Sequence, residues 1–158
     1  MKHSQMAGGL SAMDIDHFDP RLKKEYLQAY DNLFLATRHC NGKKKDFWPD
    51  AATQAKGVRF LNCCEEEDYG VHIFEDPDTH EVFGVTPAGI YHVRILNLNA
   101  ADLVSERRLR SQFKVTLSHT SARVHGSFAD FLGVMNHLRE IIDFMIPEIP
   151  FRKKPASA

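Results

Sequence analysis

Helical periodicity near the two ends of this chain, with strand-like alternation between them, is the feature that most restricts its fold. In DPRLKKEYLQAYDNLFLATRHCNG, Leu22, Tyr26, Ala29, Tyr30, Leu33, Thr37 and Cys40 recur at helical spacing. Asp19 can cap that segment, Pro20 suits its first turn, and Asn41-Gly42 supplies a left-handed stop. At the other end Phe128, Phe131, Leu132, Met135, Leu138, Ile142 and Met145 form a second stripe, widened by Val134, Ile141 and Phe144 and ended by Pro147. So broad a stripe predicts burial against a sheet and against either the first helix or a second subunit.

The intervening sequence is short-period and interrupted. A short helix is expected from Pro49 to about Lys56, ended by Gly57. VRFLNCC reads as a strand, YGVHIFE and EVFGV as an antiparallel pair joined by DPDTH, and GIYHVRILNL as a longer strand. NAADLVSERRLRSQ predicts a short helix capped by Asn99, and FKVTLS resumes strand alternation through Phe113, Val115 and Leu117. Because Ala122 and Val124 then fall on even positions, a bulge or tight turn is expected at about Ser118 to Ser121. Regular βα alternation is missing. The expectation is an α+β fold: a mainly antiparallel sheet of about five to six strands flanked by an N-terminal and a long C-terminal helix.

Composition places that fold in one domain. The chain has 158 residues, 43% hydrophobic and 26% charged, with eleven phenylalanines to build an interior. Residues 1–13 and 151–158 read as disordered tails around a single domain at 14–150, the second tail being basic. Twenty basic and twenty-one acidic residues leave a formal charge of -1, which excludes a global field for nucleic acid or an anionic membrane. MKHSQMAGGLSAMD has no apolar run to act as a signal, no membrane-length stretch follows, and Cys40, Cys63 and Cys64 cannot build a disulfide framework. A cytoplasmic protein with no membrane attachment is expected.

Four groups of residues carry candidate chemistry. His119-x-Ser121 and His125-x-Ser127 resemble the short elements that two-histidine phosphoesterases use to hold and protonate phosphate oxygens, one imidazole serving as base and the other as acid. In such enzymes the two elements come from separate strands, whereas here they are adjacent, which favours a scaffold role with Ser127 capping the last helix. His39, Cys40, Cys63 and Cys64 are zinc-compatible in type but lack the paired spacing a tetrahedral site needs, so no metal and no cofactor is expected.

Glu65, Glu66, Glu67, Asp68, Glu75, Asp76, Asp78 and Glu81 put eight of the twenty-one acids on one stretch. They suit a solvated hairpin tip that keeps its strand edge from pairing with other chains, or a negative surface for a basic partner. The basic counterparts are Lys43, Lys44 and Lys45 beside Trp48, and Arg107, Arg108 and Arg110. These are the expected binding residues, able to grip carboxylates or phosphates while Trp48 offers a stacking face. The sequence lacks phosphate-binding glycine loops and a hydrolase elbow. The leading expectation is therefore a protein-interaction module acting through charged surfaces, with self-association through the C-terminal helix. Nucleic-acid binding through the local Arg/Lys patch, and hydrolysis by His119 and His125, are the alternatives.

Overall fold

A computed structural model of the chain describes residues 13–24, 29–62, 70–123, 133, 136 and 150–155. Its first unit is a β-hairpin followed directly by a helix. Met13–His17 (β1) and Leu33–Thr37 (β2) pair antiparallel, with Ile15 opposite Leu35 and His17 opposite Leu33. Thr37 then ends the strand and begins the helix Arg38–Lys44 (α1), its hydroxyl accepting from the Cys40 amide at 3.1 Å.

This replaces the single amphipathic helix expected from Pro20 to Cys40. Pro20–Lys24 and Tyr30–Asn32 form only short 3₁₀ turns. Leu33, Thr37 and Cys40 fit a helical stripe and an extended strand followed by a new helix equally well. Buried Asn32 decides between them, because its side-chain amide pairs with the Asp19 backbone and its carbonyl accepts the Phe18 amide, folding the segment back along β1.

Ala51–Gln54 (α2) is the short helix expected near Pro49, capped by Asp50 through the Thr53 amide at 2.7 Å, with Gly57 at φ 81° just beyond it. Ile73–Glu75 (β3) and Val82–Gly84 (β4) are the expected antiparallel hairpin. Residues 58–62 do not form the strand read there, although Phe60 and Leu61 are deeply buried.

The segment read as a long strand is instead the helix Pro87–Ile95 (α3), started by Thr86 as cap and Pro87 in the first turn. Its first turn lies directly on the hairpin. A Cβ at Gly84 would collide with the backbone of Ile90, and one at Gly89 with the carbonyl of His72, so only hydrogen fits at either contact.

Ala101–Arg123 is one continuous helix (α4), with no bulge near residue 120 and no strand at FKVTLS. Leu103, Val104, Glu106, Arg107, Arg110, Ser111 and Lys114 are shielded at helical spacing along it, and all but the first two are polar. Phe113 and Val115, whose alternation suggested a strand, are about half exposed on its outside. Asn99 does not cap α4; its amide pairs with both Val82 backbone groups, at 2.8 and 2.9 Å, as a neighbouring strand would.

The α+β class holds, but the described strands form two separate two-stranded sheets in place of one sheet of five to six. The expected C-terminal helix lies almost wholly outside the described residues. Cys40, Phe60, Val82, Leu96 and Leu98 form the main core, with Phe18 and Trp48 packed against it from the first unit and Tyr91, Val93 and Ile95 from the second. Leu61, Ile73 and Ala88 form a smaller cluster joined to it by Val93.

Candidate functional site

The end of β1 is held by polar side chains from two different elements. Asn32, buried at the start of β2, accepts the Asp19 amide at 2.8 Å and donates to the Asp19 carbonyl at 3.2 Å, while its own carbonyl accepts the Phe18 amide at 2.9 Å. Lys44, 5% exposed in the last turn of α1, donates to the His17 carbonyl at 2.6 Å and to the Asp16 carboxylate at 3.1 Å. Residues 16–19 are thus fixed from both sides. Burying an ammonium and a carboxamide is costly unless their bonds are made, and here they are spent on a single tetrapeptide.

Held there are a carboxylate and an imidazole. Asp16 is mostly shielded, and both of its carboxylate oxygens lie 3.1 Å from the Lys44 ammonium. His17, the last residue of β1, is half-buried at the rim where the chain turns away at Phe18.

Exposed cations lie on the neighbouring elements. Arg21, Arg38, Lys43 and Lys45 are all exposed, on the first 3₁₀ turn and on or just beyond α1. Arg21 forms a close pair with Asp19 at 2.6 Å, which holds that carboxyl below its usual range, and it also lies 5.2 Å over the ring of half-buried Trp48. Arg38 reaches Asp14 at 3.5 Å across the hairpin.

A second polar cluster joins the β3–β4 turn to α4. Glu75 is fully buried and satisfied by His80 Nδ1 at 2.9 Å and by Arg110 at 3.0 Å. Arg107, 5% exposed, donates to the carbonyls of His80 and Leu98 and to the Asn99 amide oxygen. Its burial lowers its pKa from the ordinary arginine value. His80 sits at φ 62°, a left-handed conformation stabilised by these bonds.

The residues expected to bind are therefore divided. Lys43, Lys45 and Arg108 are exposed; Lys44 and Arg107 are interior, and Arg110 is partly shielded in its pair with Glu75. The lysine group and the arginine group belong to different clusters. His119 and Ser121 lie within α4, whereas His125 and Ser127, like Cys63 and Cys64, fall outside the described residues. His39 Nε2 donates to the Leu96 carbonyl at 3.2 Å, and burial raises the Cys40 thiol, so both serve the core.

Sequence reasoning passed over Asp16, His17 and Asn32. Their signal is Asp-His closing a short alternating run, then Asn32 opening LFLAT before a threonine cap. Among the described residues no group of three or more His, Cys, Asp or Glu side chains converges on a metal position, and no helix is long and apolar enough to cross a membrane. Compared with protein families, characterised proteins and solved structures, the chain matches none.

Proposed function

We propose that the β1–β2–α1 unit is a hydrolytic centre acting on the phosphodiester backbone of a nucleic acid. The observation that supports this reading is the convergence of buried Asn32 and buried Lys44 on residues 16–19. A reacting carboxylate and imidazole need to be fixed before substrate arrives, and these bonds fix the backbone that carries both. The exposed cations Arg21, Lys43 and Lys45 suit a polyanionic backbone and not a neutral substrate.

In this reading a phosphate seats at the rim where β1 stops. His17 takes a proton from the attacking water, whose oxygen bonds to phosphorus as the bond to the leaving sugar oxygen breaks. Asp16 is the carboxylate that would help hold a Mg²⁺-type cation, which would neutralise the charge on the leaving oxygen. Such a cation is held by one or two carboxylates, waters and the substrate phosphate, so a cluster of three protein acids is not required.

The reading combines nucleic-acid contact with hydrolysis and moves the chemistry from His119 and His125 to the first hairpin. Incubating the purified chain with supercoiled plasmid and with single-stranded DNA and RNA, in magnesium and in chelator, tests it. Magnesium-dependent cleavage of at least one substrate is expected; intact substrates throughout would refute it. A second reading, protein binding through charged surfaces, is favoured by the acidic turn after β3, which already carries a basic segment of the chain.

A further inference from the structure

The basic segment Pro150–Lys154 lies beside β3, joined to it by one parallel bridge. The Glu75 amide donates to the Pro150 carbonyl at 2.9 Å, the Arg152 amide donates to the Glu75 carbonyl at 2.9 Å, and Phe151 pairs with Glu75. Beyond the bridge its charges follow those of the turn. The Lys154 amide donates to the Asp76 carboxylate at 3.0 Å, Lys154 Nζ lies 3.4 Å from Glu81, and Lys153 Nζ lies 3.3 Å from Asp78. The Arg152 guanidinium lies 5.2 Å over the Phe74 ring.

None of these contacts anchors the segment in the core. Phe151 is 50% exposed and Lys153 is 79% exposed at its side chain. The segment is held by main-chain bonds at a sheet edge, by ion pairs at the surface and by one cation over a ring. Those are pattern contacts, available to any extended chain of the same chemistry.

We propose that the edge of β3 and the turn Asp76–Glu81 form a docking site for an extended basic segment of a partner protein, which displaces Pro150–Lys154 from it. The partner segment runs parallel to β3 and places a cation over Phe74, followed by cations opposite Asp78 and Glu81. Charge complementarity sets its composition, because the turn presents only acids to the two lysines. The site is independent of the hydrolytic centre, so either reading can fail without the other.

The test uses the full chain and a fluorescent peptide with the sequence PFRKKP. A variant carrying Arg152→Glu, Lys153→Glu and Lys154→Glu has a weakened internal segment and is expected to bind the peptide at least about tenfold more tightly than the wild type. Adding Asp78→Lys and Glu81→Lys should abolish that gain. Equal affinity of wild type and triple variant, or unchanged binding after reversal of the turn, would overturn the proposal. Amide exchange on the unmodified protein provides a check free of mutation. The Arg152 amide should exchange far faster than the Ile90 amide in α3, and equal protection of the two would mean that the segment does not detach.

Discussion

Lys44 Nζ lies 2.6 Å from the carbonyl oxygen of His17, so the last turn of α1 holds the last residue of β1 by a charge-assisted bond. The same ammonium reaches Asp16 at 3.1 Å. Lys44→Met keeps the length of the side chain and removes the charge. It takes this donor from a shielded carboxylate and a carbonyl, and a loss of about 2–3 kcal/mol is expected. Urea unfolding followed by Trp48 fluorescence measures it, and a loss below about 0.5 kcal/mol would mean that Lys44 holds nothing.

Asn32 serves both positioning and folding, so its variant is read by cleavage rate and unfolding curve together. Asn32→Asp keeps the acceptor for the Asp19 amide but loses the donor to the Asp19 carbonyl. Cleavage is expected to fall at least about tenfold while the chain still folds, since misplacement of about 1 Å can cost two orders of magnitude in rate. A variant with full activity would detach Asn32 from the centre.

Arg107 and Arg108 are neighbours in sequence with opposite environments. Arg107→Ala removes three internal hydrogen bonds and should destabilise by about 3 kcal/mol, whereas Arg108→Ala should change stability by less than about 0.5 kcal/mol. Thermal melts compare them directly, and equal effects would contradict the placement of α4. Joint charge reversal of Arg107, Arg108 and Arg110 would unfold the second cluster before it reported on any surface.

How much of this was legible in the sequence follows from what the periods report. The hairpin at Ile73–Gly84 was legible because Val82 and Ile73 alternate with less buried neighbours about a turn rich in Asp, Pro and Thr. Helix α4 was legible in its first half, NAADLVSERRLRSQ, but not in its continuation through FKVTLS, because its inward stripe is mostly arginine, glutamate, serine and lysine, and a search for apolar spacing follows Phe113 and Val115 on the wrong side. In α3, Tyr91, Val93 and Ile95 alternate as a strand would, while Thr86-Pro87 ahead of them is a helix start that outweighs the alternation. The first hairpin was hidden by an apparent helical stripe, and with it the partners that hold Asp16 and His17. Which charges would end up inside depended on Lys44 and Arg107 finding carbonyls from distant elements, and no local pattern encodes that.

Gly84→Ala tests the contact between α3 and β4. The added methyl would meet the backbone of Ile90, which cannot move aside as a side chain can. A loss of about 2–3 kcal/mol is expected, against less than about 0.5 kcal/mol for Gly42→Ala, where nothing is close. Melting temperatures settle the comparison.

Acid should release the segment at Lys154 before the hairpin beneath it. Hydrogen bonds from the Lys154 and Thr79 amides lower the Asp76 carboxyl from 3.8 to about 2. A depressed folded-state value means that the contribution is complete above the unfolded pKa and is lost as pH falls through the folded one. The Lys154 amide contact should therefore persist at pH 5 and disappear as pH drops from about 4 through 2. The amide and side-chain NMR signals of Lys154 and Asp76 follow it. In Asp76→Asn this acid transition should vanish; an unchanged transition would assign it to another group.

The most direct test of the central claim is the cleavage rate of His17→Ala beside wild type on the same nucleic acid in magnesium, with unfolding curves recorded for both. A rate at least about 100-fold lower at nearly unchanged stability is predicted, the size expected for a lost general base. A variant that cleaves as fast as the wild type would remove His17 from the chemistry and the hydrolytic reading with it.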